Sequence, residues 1–184
     1  MKDELRKKLL IKRKYFQNIQ REAADNVIYE NFFSLFSSYE SFFIYNSIKY
    51  EASTQKIISS LRVNGKKVYL PRVENENMVA VEYGEMKKGA FGISEPVGKP
   101  YSGGIDVCVT PLLAVNAKGY RIGYGKGFYD RYFKDIRAKN TLKVGLGYSF
   151  QIENFNADEW DEPLDIFLCE KGAYYFKNKN GGKF

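Results

Sequence analysis

The residues that could do chemistry are densest in the segment 121–130, which reads Arg-Ile-Gly-Tyr-Gly-Lys-Gly-Phe-Tyr-Asp. Three glycines alternate within it, and this spacing removes side chains from a turn so that backbone N–H groups can close on an anion. Arg121 and Lys126 add full positive charges, and a helix that begins near Phe128 would point its positive end at the same place. The segment predicts a phosphate cradle. The alternative is a structural turn whose glycines only permit tight packing.

Neither of the common phosphate-binding motifs fits this segment. A Walker A loop needs Gly-Lys-Ser/Thr, whereas Gly127 follows Lys126 here, and a dinucleotide fingerprint would need glycine in place of Phe128. Asp130 lies one helical turn further on, where it is either a solvated or ion-paired residue or, beside a triphosphate, a Mg²⁺ ligand. The stretch 158–162 offers several candidates for a second carboxylate, and spacing alone does not choose among them.

Three further sites are weaker candidates. Lys2 and Arg6 are four residues apart and share a helix face that could reach phosphates, although basic runs on helices are usually solvated. Glu51 follows the first predicted strand and is either a ligand at the sheet edge or a solvated loop residue. Phe91 lies in a Gly-flanked loop, where an aromatic ring either stacks on a flat ligand or anchors the loop.

The composition excludes several kinds of site. The sequence contains no histidine, so a Ser-His-Asp triad, a histidine base and a histidine-ligated metal are excluded. Cys108 and Cys169 have no cysteine nearby and lie within apolar runs, which predicts buried strand residues in a reducing compartment.

The elements that must position these residues alternate between helices and strands. This order predicts an α/β fold, a single three-layer domain over 1–184 with a mostly parallel sheet flanked by helices. We expect helices over 2–14, 18–35, 55–62 and 128–137, and a loop over 87–96. We expect strands over 41–46, 67–71, 78–83, 105–110, 142–147, 164–169 and 172–177, with 105–110 central and 178–184 a frayed tail.

The overall charge and hydropathy limit the partners. A formal net charge of +7 favours anionic ligands, and 44% hydrophobic residues suffice for a packed core. The N-terminus is charged and no apolar run has the length of a membrane span, so we expect a cytoplasmic protein without a membrane partner. The oligomeric state is left open, with a monomer favoured.

Five stretches, in order along most of the chain, resemble the 5-formyltetrahydrofolate cyclo-ligase family. They are 2–6, the loop around Glu51, Leu-Pro-Arg at 70–72, Gly-Ala-Phe-Gly-Ile-Ser-Glu-Pro at 89–96, and above all 118–131. The resemblance implies an α/β fold related to the sugar-phosphate isomerase and CoA-transferase group. It also implies the reaction of ATP with 5-formyltetrahydrofolate to give ADP, phosphate and 5,10-methenyltetrahydrofolate.

The resemblance also implies roles for individual residues. Asp130 and Asp161 match magnesium ligands, and Glu51, Asn46 and Phe91 fall where the family holds the folate, which can carry a polyglutamate tail. The positions that match its ATP-binding segments are Lys2, Arg6, Arg121, Ile122, Gly123, Tyr124, Gly125, Lys126, Gly127, Phe128 and Tyr129. The chain departs from the family pattern at Val115-Asn116, where Phe-Asp is usual, and at Phe128 and Trp160, where Tyr and His are common.

The implied reaction suits a site without histidine. Transfer of the γ-phosphoryl group to the formyl oxygen makes that oxygen a leaving group, and N10 then attacks. Both steps depend on alignment and on neutralising phosphate charge. We therefore predict that Arg121 and Lys126, with the loop N–H groups and Mg²⁺, stabilise the transition state.

Two other classes of function remain open. A sugar-phosphate isomerase or CoA transferase of the same fold would act without coupled ATP hydrolysis. A nucleic-acid protein would use the basic first helix and bind with a steep salt dependence, and we do not favour it because the most specific motif is a phosphate loop. A membrane-surface helix is disfavoured because the apolar face of the first helix is narrow.

Overall fold

A computed structural model describes residues 2–89 and 92–176, so Phe91 and the tail 178–184 lie outside the described residues. The helices are α1 (Lys2–Tyr15), α2 (Asn18–Phe36), α3 (Gln55–Val63) and α4 (Phe128–Phe133). The strands are β1 (Ser41–Ile44), β2 (Lys67–Glu74), β3 (Asn77–Glu82), β4 (Met86–Lys88), β5 (Ser94–Pro96), β6 (Val107–Pro111), β7 (Ala114–Val115), β8 (Arg121–Ile122), β9 (Leu142–Leu146), β10 (Ile166–Cys169) and β11 (Gly172–Tyr175).

Seven of these strands form one sheet in the order β11-β10-β9-β6-β1-β2-β3. The pairs from β10 through β9, β6 and β1 to β2 are parallel, whereas β3 and β11 join antiparallel at the two edges. The predicted mostly parallel sheet is confirmed, and the strand predicted to be central, β6, is the fourth of the seven.

Helices cover both faces of the sheet, which confirms the three-layer arrangement. Along β1, Phe42 and Ile44 pack into the cluster that contains α2 and α3, whereas Phe43 packs with Phe133 of α4 on the other face. Side chains alternate between the faces of a strand, so a strand covered on both sides is apolar throughout. All four residues of β1 are buried for this reason. The two cysteines are buried and free, Cys108 in β6 and Cys169 in β10, as predicted.

The end of β2 and the segment 87–96 differ from the prediction. The strand expected to stop at Pro71 continues to Glu74, because β2 pairs with β1 only as far as Tyr69 and then has β3 as its partner in the sheet. A proline, which lacks the N–H donor, is tolerated where a strand has a partner on one side. The predicted loop 87–96 contains two strands of three residues, β4 and β5, which are too short to show a period of two.

A carboxylate joins the starts of the two central strands. Asp106 Oδ2 accepts hydrogen bonds from Glu40 N at 3.0 Å and from both N and Oγ of Ser41 at 2.9 Å. Burial alone would raise the pKa of Asp106, but the hydrogen bonds from Ser41 and Glu40 outweigh it and lower that pKa.

Among the described helices, none combines the length and the apolar character needed to cross a bilayer.

Candidate active site

A cavity of about 820 Å³ opens at the carboxyl ends of β1 and β6. Ligands of open α/β sheets bind at this edge. Phe91 cannot be placed because it lies outside the described residues. The predicted site residues that are described all line this one cavity: Lys2, Arg6, Asn46, Glu51, Arg121, Ile122, Gly123, Tyr124, Gly125, Lys126, Gly127, Phe128, Tyr129, Asp130 and Asp161.

The glycine-rich segment 119–127 is divided by β8 and is not one continuous loop. Gly119 lies in the turn between β7 and β8, and a Cβ there would be 2.7 Å from Phe176 Cγ and 2.9 Å from Leu164 O. Gly119 is therefore needed for close packing. The part that faces the cavity is 123–127, which we call the glycine loop.

Helix α1 supports the glycine loop through Arg6. Arg6 Nε donates a hydrogen bond to Gly123 O at 3.1 Å, and its guanidinium carbon would lie 3.6 Å from a Cβ at Gly125. Gly125 has φ of +90°, a conformation that residues with a Cβ rarely adopt. Lys126 is exposed at the tip of the loop. Arg6 therefore ties the glycine loop to α1 through Gly123.

The helix after the glycine loop is shorter than predicted. It ends at Phe133 rather than near residue 137, since Lys134 caps it and Asp135 Oδ1 then accepts a hydrogen bond from Arg137 N at 2.9 Å. A 3-10 turn follows over Ile136–Ala138. With six residues, α4 adds less dipole to the anion site than the predicted ten residues would.

Arg121 is buried and makes direct contacts that the sequence did not reveal. Its NH2 lies 3.1 Å from Asp130 Oδ1, and its NH1 donates to Glu162 O at 3.0 Å. The guanidinium carbon lies 5.4 Å from the ring centroid of Phe133. Arg121 thus connects β8, α4 and the loop before β10.

Asp161 is held in place by α1 through Lys2. Lys2 Nζ lies 2.8 Å from Asp161 Oδ2 and 2.7 Å from Asp158 Oδ2, and Asp158 N donates to Asp161 Oδ2 at 2.8 Å. Partial burial acts to lower the pKa of Lys2, but the hydrogen bonds to both carboxylates raise it overall. Of the acids in 158–162, Asp161 and Asp158 line the cavity.

The backbone that follows Asp161 lies beside Asp130. Glu162 N donates to Asp130 Oδ1 at 3.3 Å, so by standard backbone dimensions the Cα of Asp161 is roughly 6 Å from that oxygen. Within 2–89 and 92–176, no group of three or more Asp, Glu, Cys or His converges on one point. Two carboxylates that need phosphate oxygens to complete the coordination sphere fit Mg²⁺.

Glu51 and Asn46 form the other end of the cavity. Glu51 Oε1 accepts a hydrogen bond from the Tyr124 hydroxyl at 2.6 Å, and Glu51 Oε2 accepts one from Ile48 N at 2.8 Å. Burial raises the pKa of Glu51, against the opposing effects of these two hydrogen bonds. Asn46 Nδ2 donates to Ser94 O at 3.4 Å, which connects this end to β5.

A sequence profile described as the 5-formyltetrahydrofolate cyclo-ligase family matches residues 1–170. The chain belongs to this cyclo-ligase family. It is therefore a ligase, and the reaction of its family is the ATP-dependent closure of a ring on 5-formyltetrahydrofolate.

Individual relatives and solved structures agree with the family match. The chain is 36% identical over 137 residues to the 5-formyltetrahydrofolate cyclo-ligase of Haemophilus influenzae, an alignment that covers 68% of this chain and 73% of that one. It is 29% identical to the cyclo-ligase of Mycoplasma genitalium, over 91% of this chain and 97% of that one. The structure of 5,10-methenyltetrahydrofolate synthetase from Aquifex aeolicus superposes with a TM-score of 0.84 and 33% identity, over 100% of this chain and 96% of that one.

Two departures from the family pattern have a clear structural outcome. Asn116, where the family usually has a carboxylate, still accepts hydrogen bonds through Oδ1 from Lys118 N and Tyr120 N, both at 3.0 Å, and donates to Phe155 O at 3.1 Å. The amide therefore closes this turn as an aspartate would, and adds a donor. Trp160 lines the cavity and is 57% exposed, so it is available for contact with a ligand.

Sequence reasoning missed Glu95, which lines the cavity of this cyclo-ligase, and Arg13, which contacts a residue that does. Glu95 in β5 is buried and lines the cavity, and its Oε1 accepts a hydrogen bond from Val73 N at 3.2 Å. Arg13 is buried and donates through NH2 to the Tyr124 hydroxyl at 2.5 Å. A signal for Arg13 did exist, because Leu5, Leu9 and Arg13 are spaced by four and so continue the apolar stripe of the first helix.

Proposed function

We propose that this cavity binds Mg-ATP against the glycine loop and 5-formyltetrahydrofolate at the Glu51 end, and produces 5,10-methenyltetrahydrofolate, ADP and phosphate. The observation that carries the proposal is that the two ends are joined by one residue. Tyr124 belongs to the glycine loop, and its hydroxyl donates to Glu51 at 2.6 Å. A nucleotide phosphate on the loop and a folate beside Glu51 would therefore be neighbours.

The ATP end of the cavity supplies positive charge and backbone donors. In the proposal, the N–H groups of the glycine loop and the ammonium group of Lys126 contact the terminal phosphates, while Arg6 and Lys2 complete the basic wall. Asp130 and Asp161 would hold Mg²⁺, which when bound neutralises phosphate charge. Arg121 has a double role, since it orients Asp130 through the 3.1 Å contact and adds a buried positive charge beside the phosphates.

The reaction then needs alignment more than a side-chain nucleophile. The formyl oxygen on N5 forms a bond to the γ-phosphorus while the bond from that phosphorus to ADP breaks. N10 attacks the activated formyl carbon, phosphate leaves with the former formyl oxygen, and N10 loses its proton to give the methenyl bridge. Fixed charges that face the phosphoryl oxygens stabilise both steps without reorganising.

The folate end would recognise a flat, polar ring. Glu51 offers carboxylate oxygens and Asn46 an amide, while Met78, Ile93 and Trp160 supply apolar contact area around them. We include a polyglutamate tail among the accepted forms, since the net charge of +7 favours anions. A cytoplasmic location is also part of the proposal, because both cysteines are free and buried as in proteins of reducing compartments.

The direct experiment mixes the protein with 5-formyltetrahydrofolate, ATP and Mg²⁺ and follows the absorbance of the methenyl product together with ADP release. We expect one ADP for each methenyl group formed, and no product when ATP is left out or Mg²⁺ is removed with a chelator. Product without ATP, or ADP release without product, would contradict the proposal. The first of these outcomes would favour an isomerase-like or transferase-like activity.

A further inference from the structure

Arg13 is a buried cation that none of the roles described so far includes. Although it lies in α1 between the exposed Lys12 and Lys14, only 4% of Arg13 is exposed. Its NH2 donates to the Tyr124 hydroxyl at 2.5 Å, and its Nε is buried without a hydrogen-bond partner among the described residues. A buried cation with an unsatisfied donor is costly for folding, so its presence needs a reason.

The Tyr124 hydroxyl bridges Arg13 and Glu51 by hydrogen bonds. It accepts from Arg13 and gives its single proton to Glu51 Oε1 at 2.6 Å. The other carboxylate oxygen is fixed by Ile48 N at 2.8 Å. Hydrogen bonds therefore fix the direction of both carboxylate oxygens of Glu51. One of these oxygens is connected to the positive charge of Arg13 through the Tyr124 hydroxyl.

The electrostatics agree with this geometry. Burial raises the pKa of Glu51, and the hydrogen bond from Tyr124 and the charge of Arg13 act in the opposite direction. Tyr45 and Tyr129 also face Glu51, but burial raises the pKa of both phenols well above the usual value, so they are neutral near pH 7. Arg13 is thus the cation that favours ionised Glu51.

We propose that Arg13 is a positioning residue for folate binding: through the Tyr124 hydroxyl it keeps Glu51 ionised and aimed into the cavity. Arg13 itself does not line the cavity. It acts from behind, and it connects the folate end to the glycine loop because Tyr124 belongs to both. This inference rests on the proposed function, in which Glu51 contacts the folate.

The test measures the affinity for 5-formyltetrahydrofolate alone, without ATP, by titration calorimetry. Arg13→Met keeps an apolar stem of similar length and removes the charge, Tyr124→Phe removes only the hydroxyl, and Lys14→Met is the matched control because it removes an exposed charge from the same helix. Loss of a hydrogen-bond partner at a buried charge predicts a Kd roughly tenfold higher for the first two variants and an unchanged Kd for the control. In the double variant Arg13→Met/Tyr124→Phe, the Kd should rise by less than the product of the two single increases, because both substitutions break the same chain of hydrogen bonds to Glu51.

A pH profile separates positioning from a merely structural role. Without Arg13 the pKa of Glu51 rises, so the acid limb of kcat/KM for 5-formyltetrahydrofolate should move to higher pH, while KM for ATP changes by less than about threefold. A folded Arg13→Met protein with wild-type Kd and an unmoved acid limb would refute the inference. If Arg13→Met does not fold, the Kd for 5-formyltetrahydrofolate and the acid limb of Tyr124→Phe decide. Wild-type protein that binds 5-formyltetrahydrofolate but forms no product would overturn the proposed function and leave this inference standing.

Discussion

Replacing Lys126 and Arg121 by alanine should separate catalysis from folding, because the two cations sit in different environments. Lys126 is exposed at the tip of the glycine loop, whereas the side chain of Arg121 is 4% exposed and paired with Asp130. Removing a charge that meets the transferred phosphoryl group typically costs about 3 kcal/mol of transition-state stabilisation, which is roughly a hundredfold in kcat. Lys126→Ala, as a surface substitution, should change the free energy of unfolding by no more than about 0.5 kcal/mol.

Arg121→Ala should behave differently. Arg121 is buried although Asp130 is partly exposed, and its loss leaves the carbonyl of Glu162 without its donor, which costs about 1–3 kcal/mol. Since small domains have only about 5–15 kcal/mol of stability in total, a large fall in the unfolding midpoint is expected along with the loss of activity. Urea unfolding and methenyl absorbance on the same samples measure both effects. Normal turnover by folded Lys126→Ala, or a wild-type unfolding midpoint for Arg121→Ala, would refute the reasoning.

Three further substitutions test the scaffold. Gly127→Ala should lower the free energy of unfolding by about 1–2 kcal/mol and raise KM for ATP. The reason is that Gly127 has φ of +65° and that a Cβ there would lie 2.9 Å from Arg131 Nη1. An unchanged KM would contradict this prediction. Asp106→Ala should lower the free energy of unfolding in urea by about 2 kcal/mol, since the donors at the start of β1 lose their acceptor. The hydrogen bond from Arg137 lowers the pKa of Asp135 to about 2, so Asp135→Asn should cost less than about 1 kcal/mol at pH 7. The difference in unfolding free energy between wild type and Asp135→Asn should shrink as pH falls below ~4, the pKa of Asp135 in the unfolded chain. It should vanish below about pH 2, because the stabilisation requires the ionised carboxylate.

The fold could be predicted where strands are fully covered. Apart from Ser41 and Thr110, β1 and β6 are apolar because helices lie on both faces, and such runs can be read from the sequence. β4 and β5 could not be read this way, since a strand of three residues carries no periodicity. The prediction that β2 stops at Pro71 was wrong. A proline ends a strand only where its missing N–H is needed for pairing, and the pairing of β2 with β1 and β3 cannot be read from the local sequence.

The candidate site divides along the same line. The glycine loop could be found from spacing because alternating glycines are a local signal. The contact of Arg121 with Asp130 could not, since it depends on how α4 folds back against β8. Arg13 stands in the basic run 12–14, of a kind that is usually solvated, although its position on the Leu9 stripe indicates burial. The partner that explains this burial, Tyr124, lies 111 residues away in the chain.

The most direct test of the central claim is a crystal structure with a non-hydrolysable Mg-ATP analogue and 5-formyltetrahydrofolate. We predict phosphate oxygens within hydrogen-bonding distance of the N–H groups of the glycine loop, a cation between Asp130 and Asp161, and the folate ring beside Glu51. A nucleotide bound elsewhere, with the glycine loop empty, would contradict the account.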